Sequence, residues 1–98
     1  MLKLEEIFSS KGATMIIKLL AEKEELNITS ICRLTGLNHK VVSKYVRKLI
    51  KYGLVKEKKF GKRIRILALN NKNKYSEIIK EFIKRWKMKN MREMDEKD

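Results

Sequence analysis

Between Asn38 and Arg65 the chain carries eleven bases (Lys40, Lys44, Arg47, Lys48, Lys51, Lys56, Lys58, Lys59, Lys62, Arg63 and Arg65) against one acid, Glu57. That is a net charge of +10 in 28 residues, and the other 70 residues hold only +3. Ammonium and guanidinium groups at this density bind anions, by Coulomb attraction and charge-assisted hydrogen bonds, and release counterions from a polyanion. One lysine on a helix is ordinarily a solvated surface group. Eleven bases with a single acid in one segment are the footprint of a polyanionic partner, and a helix followed by a hairpin suits the grooves of a duplex.

Little else in the chain is equipped for chemistry. There is no Walker loop, no nucleophile elbow and no pair of carboxylates in a structured stretch, so an enzyme is not expected. His39 has no second His or paired Cys to complete a metal site and reads as a polar contact or a solvent-exposed group; no metal and no cofactor is implied. Cys32, the only cysteine, has no internal disulfide partner, which fits an intracellular protein, and beside Ile31 it reads as a small core residue. Glu22, Glu24 and Glu25 read as solvated. Glu5 and Glu6 interrupt the N-terminal apolar stretch, unlike a secretory leader. The longest apolar runs fall far short of the ~20 residues a membrane span needs. A Lys- and Glu-rich composition fits a thermophile, and an AT-rich genome gives the same bias.

These bases need elements to display them. Ninety-eight residues, 43% of them apolar, suffice for one domain with one modest core. Leu4, Ile7 and Phe8 have the spacing of a short helix face, interrupted by Ser9, Ser10 and Gly12. The pattern predicts a buried helix over 13–23, an extended link over 26–28, and a helix over 30–34 capped by Thr29. Gly36 ends that helix, and Asn38 caps the next, whose Val42, Val46 and Leu49 form a core stripe up to the stop at Gly53. Strands over 54–60 and 63–69 flank a Gly61–Lys62 turn; the basic tip projects into solvent and the far end is covered on both faces. Phe60 is expected to pack on the sheet, with stacking or wedging as the alternative. The Asn-rich 70–73 reads as linker and cap, and a last helix runs from 74 into the nineties, with 95–98 frayed. The fold class is mainly α with a small β-hairpin and helical extensions at both termini.

The run I-T-S-I-C-R-L-T-G-L-N-H-K-V-V-S-K-Y-V-R-K-L-I-K-Y-G-L-V, residues 28–55, resembles the winged helix-turn-helix transcription regulators of the ArsR/MarR type. The likeness lies in the central Ile31, the Gly36-Leu37-Asn38 turn, the Val42-Ser43-Lys44 centre and the Leu-x-x-x-Gly-Leu-Val ending at Leu49–Val55. The chain departs from that pattern at Lys40 and Val41, where Ser or Thr is common, and it lacks the Cys-containing motif of the metal-sensing members. The resemblance implies a single domain over 1–98: helix-turn-helix about 29–52, wing about 54–69, dimerisation helix about 74–94. It also implies double-stranded DNA as partner and transcription regulation, as a repressor, as the role. In such a fold the second helix enters the major groove N-terminus first. His39, Lys40, Val41 and Lys44 then face base edges, Asn38 at the start of that helix belongs to the same DNA-binding surface, Ser43 and Tyr45 reach base or phosphate, and Arg47, Lys48 and Lys51 meet phosphate. Lys58, Lys59, Lys62, Arg63 and Arg65 form the wing surface, with Arg63 suited to a narrow minor groove. The competing reading is an architectural protein binding duplex with little sequence preference, since lysine is a less directional donor than arginine.

The terminal helices suggest self-association. Tyr75, Ile79, Phe82 and Trp86 are spaced four, three and four, a heptad-like seam that Ile78 and Ile83 widen. With Leu4, Ile7 and Phe8 they are expected to form a homodimer interface; the alternative is a last helix folded back on its own core. Met88, Met91 and Met94 extend that surface or lie along a fraying end. Glu77, Glu81 and Glu93 among the bases of this helix argue against a membrane surface. The chain points to no particular small-molecule effector.

Overall fold

The computed structural model describes residues 3–96, and the side chains of 3–93. The expectations for Met94 as an interface residue and for the frayed end at 95–98 lie outside those described side chains. The order is α1 (Leu4–Ile7), α2 (Lys11–Lys23), β1 (Glu25–Asn27), α3 (Ile28–Thr35), α4 (His39–Lys51), β2 (Val55–Phe60), β3 (Ile64–Leu69) and α5 (Lys74–Glu96). Together they form a winged helix-turn-helix: mainly helical, with an antiparallel sheet of order β1-β3-β2. Among the described residues no helix is long and apolar enough to cross a membrane.

Side-chain oxygens set the helix starts. Ser10 Oγ accepts from Ala13 N at 3.1 Å and opens α2. Helix α2 therefore begins at Lys11 and takes in Gly12, which the pattern had placed outside it. Asn27 Oδ1 accepts from Ser30 N at 2.7 Å, so Asn27, and not Thr29, caps α3. The reason is positional: Asn27 ends β1 with extended backbone, as a cap requires, whereas Thr29 is already helical. Asn38 Oδ1 repeats the device on Val41 N at 2.9 Å and opens α4 as expected.

Two glycines end the helices of the central motif. Gly36, at φ 75°, ends α3. Gly53, at φ 80°, follows α4. There the Leu54 amide donates to Leu49 O at 3.1 Å and the Gly53 amide to Ile50 O at 2.9 Å, the bond pair of a Schellman motif.

The core lies where α2, α3 and α4 meet the base of the sheet. Ile16, Ile17, Leu20, Ile31, Val42, Val46, Leu49, Leu54 and Leu67 are fully buried. Cys32 is half-buried and packs against this cluster. Leu34, three residues on from Ile31 in α3, is exposed. Register explains why the β3 pattern looks apolar on both sides. Val55, Glu57 and Lys59 share a face with Leu69, Leu67 and Arg65; Lys56, Lys58 and Phe60 share the other with Ala68, Ile66 and Ile64. Leu67, Ala68 and Leu69 are all buried, so the base of the hairpin is covered on both faces.

Candidate nucleic-acid interface

Helix α4 buries one stripe and shows the opposite one. Val42, Val46 and Leu49 point into the core. Lys40, Lys44, Arg47, Lys48 and Lys51 are all exposed, and α4 contains no acid. The expected arrangement of this helix is therefore present: an apolar stripe anchors it and a cationic rod faces solvent. His39 is exposed, its Nδ1 3.4 Å from the Ser43 hydroxyl. Asn38 is exposed but its carbonyl oxygen is engaged as the cap. Val41 and Ser43 are half-buried at the shoulder of the helix.

Tyr45 has a second task. Its ring lies against Gly12 of α2, where a Cβ would sit 2.5 Å from Tyr45 Cε2. The close approach of α2 to α4 exists because residue 12 has no side chain. Gly12 thus acts as a spacing gauge that lets the Tyr45 ring of α4 lie against α2.

The wing carries its charge in two ways. Lys59, Lys62 and Arg63 are exposed at the tip, and Lys58 is exposed with its Nζ 3.7 Å from Glu25 Oε1. Arg65 departs from the expectation of a free cation. It forms a two-pronged ion pair with Glu57, through Nε and through a 3.3 Å bond from its second guanidinium nitrogen. The register puts Arg65 opposite Lys59 and Glu57 one pair further along the same face, so the two meet diagonally. Arg65's hydrogen bonds hold the Glu57 carboxyl below its usual range, helped by the charges of Arg65 and Lys59 and opposed by burial. Glu57's hydrogen bond raises Arg65 in turn. The one acid of the basic segment thus braces the hairpin. Its signal in the sequence was its solitude, together with a period of two that brings it onto the face of Arg65.

Phe60 also departs from expectation. It is 57% exposed, and its partner across the strands, Ile64, is 52% exposed. Among the described residues no element covers that face of the hairpin tip.

The Asn-rich stretch does more than link. Asn70 Nδ2 and Asn73 Nδ2 donate to Gly53 O at 3.1 and 2.9 Å, and Ser76 Oγ donates to Leu54 O at 3.0 Å. Asn73 Oδ1 accepts from Tyr75 N at the start of α5. The C-terminal end of α4 is thereby tied to the first turn of α5, and Ser76 is buried in the joint. Composition marked this stretch as polar and turn-forming, but the partners of its amides come from a segment some 20 residues away.

The expected interface divides. Ile7 and Ile79 are buried within the chain, and Phe8 and Ile83 pack against the core. Leu4, Tyr75, Ile78, Phe82 and Trp86 are exposed, as are Met88 and Met91. The Phe82 and Trp86 rings are stacked, with centroids 6.0 Å apart. The seam through Ile79 is thus corrected: Ile79 turns inward with Ser76 and Ile83, and Ile78 takes its place beside Tyr75, Phe82 and Trp86. Spacings of three and four do not distinguish two faces ~90° apart when both are apolar. Lys87 Nζ, 3.8 Å from Glu22 Oε2, helps seat α5 on α2.

Among the described residues no group of three or more His, Cys, Asp or Glu side chains is placed to hold a metal ion. Residues 10–57 match the family described as bacterial regulatory protein, arsR family. The likeness to that family lies in the helix-turn-helix segment. The matched segment runs from the cap of α2 through α4 into the wing. No curated protein sequence matches the chain. Among solved structures, the ArsR-type segment and its flanks are similar in fold to NadR in complex with 4-hydroxyphenylacetate (TM-score 0.73, 22% identity, 89% of this chain and 61% of that one). They are also similar to HlyU from Vibrio cholerae (TM-score 0.73, 18% identity, 85% and 86%). A third is the adhesin competence repressor AdcR from Streptococcus pyogenes (TM-score 0.74, 14% identity, 96% and 67%). At these identities the likeness is one of fold.

Proposed function

We propose that this protein is a sequence-specific double-stranded DNA-binding transcription regulator that represses by occupying promoter DNA. The exposed, acid-free face of α4 beside a basic wing is the observation that carries the reading. The major groove, ~12 Å wide, accepts a helix. His39, Lys40, Val41 and Lys44 face the base edges: a lysine donates to guanine O6 and N7, and Val41 packs on a thymine methyl. Arg47, Lys48 and Lys51 meet phosphates and set the register. Lys59, Lys62 and Arg63 contact the flanking backbone or minor groove. Arg65, paired with Glu57, stiffens the wing rather than binding phosphate.

The working unit is a symmetric homodimer built on Tyr75, Ile78, Phe82 and Trp86 of α5, with Leu4. A C2 pair would present two recognition helices about 34–36 Å apart, one turn of duplex, and would read an inverted repeat. The joint of Asn70 and Asn73 with Gly53, and of Ser76 with Leu54, then fixes each recognition helix relative to the dimer seam.

Selection of bound fragments from a random duplex pool tests this. The expected outcome is a palindromic consensus bound by a dimer. Enrichment of no sequence, with binding that falls steeply with salt and equally on every duplex, would instead favour an architectural role. The observation on that side is that four of the five exposed bases of α4 are lysines.

A further inference from the structure

We propose that the wing is a wedge: Phe60 and Ile64 enter the minor groove, unstack a base step and bend the bound duplex. This rests on the proposed duplex binding and goes beyond it. Strand β2 is an edge strand. Edges are ordinarily guarded by charged side chains, and Lys56, Lys58 and Lys59 follow that rule. Phe60 breaks it, at the end of the strand, where it is more than half exposed beside an equally exposed Ile64. The two are direct cross-strand partners on one face, and half-buried Ile66 continues their strip toward the base of the sheet. Paired side chains on one face of an antiparallel ribbon lie ~4.5–5.5 Å apart, so the two form a single apolar blade.

The blade is surrounded by charge. Lys58 shares its face, and Lys62 and Arg63 form the turn beside it. A partner must therefore offer anions at a rim and apolar surface within. The minor groove does so: phosphates line both edges of an opening ~6 Å wide, too narrow for the ribbon but wide enough for side chains, and the base stack lies inside. Apolar wedges flanked by bases kink duplex DNA by about 20–90° in other architectures.

The test uses a duplex recovered by selection, carrying a fluorophore at each end, with bending read by energy transfer and affinity by titration. The wild-type chain should bind and shorten the end-to-end distance. Phe60→Ala and the Phe60→Ala/Ile64→Ala pair should bind within severalfold of wild type and lose the bend, and Phe60→Leu should retain it. Both sites are exposed, so the variants should melt like wild type. A wild-type complex that is tight but straight, or alanine variants that still bend DNA, would overturn the wedge and leave duplex binding intact. Failure of the wild type to bind any duplex would remove the proposed function as well. If the same variants instead lose binding to vesicles of anionic phospholipid, with bending unchanged, the blade serves a membrane surface and the wedge is wrong.

Discussion

The outward face of α4 and the outward face of α5 are both helical and both exposed, yet they are opposite in kind. On α4 every exposed residue past Asn38 is basic or His39. On α5 the exposed stripe Tyr75, Ile78, Phe82 and Trp86 is apolar, each residue between 48 and 64% exposed. A solvated cationic face costs little by itself and gains from a polyanion. An exposed aromatic stripe remains in contact with water until something apolar covers it. The two surfaces thus suit opposite kinds of chemistry, and the hydrogen bonds of Asn70 and Asn73 to Gly53 and of Ser76 to Leu54 tie the end of α4 to the start of α5.

The largest effects should come from the apolar side. Trp86→Ala is expected to weaken self-association by about 2–4 kcal/mol, as loss of an aromatic anchor does. Sedimentation velocity over a concentration series would show monomer where the wild type is dimeric; an unchanged mass would break the contrast between the two faces. Next comes the gauge beneath α4. Gly12→Ala should destabilise the fold by about 1–3 kcal/mol, because the new methyl collides with the Tyr45 ring, even though alanine is the better helix former by ~1 kcal/mol. In a Tyr45→Ala background the same change should become stabilising, a reversal that denaturant melts of the four variants would reveal.

On the cationic side, Lys44→Ala should reduce discrimination between specific and random duplex by about 1–3 kcal/mol. Lys62→Ala should weaken binding to all sequences alike and lower the slope of log affinity against log salt by about one. Titrations at several salt concentrations separate the two. If both variants behave like wild type, the basic face is not the contact surface.

The smallest effect concerns the brace. Glu57 is held below its usual range by Arg65. Its stabilising contribution is therefore complete above the unfolded value of ~4.3 and lost as pH falls through the lower folded value. A diagonal cross-strand pair contributes roughly 0.2–1 kcal/mol. Thermal melts across acidic pH should show that increment in wild type and lack it in Glu57→Gln.

Much of the architecture was legible because it rests on local rules. Asn38 caps, Gly36 and Gly53 stop helices, and Val42, Val46 and Leu49 keep step with the helical repeat; each acts within a turn of chain. What was misread depends on distant partners. Gly12 looked like a breaker because its reason for being glycine is a ring 33 positions away. Ile79 looked like part of the seam because its inward turn depends on where α5 meets the core. Phe60 reads as packing on the sheet because aromatics usually find cover, and only its exposed place at the end of β2 leaves it uncovered. Arg65 counted as a free cation because its pairing with Glu57 is a matter of register.

The amino-acid order alone determined the helices and strands, the apolar stripe that anchors α4 and the concentration of positive charge in 28 residues, since propensity, capping and charge are properties of neighbours. Tertiary structure decided which side of α5 is buried, which wing residues are exposed and which base is neutralised. Those outcomes follow from which surfaces are closest when the chain is folded, and that distance is not written in any local pattern.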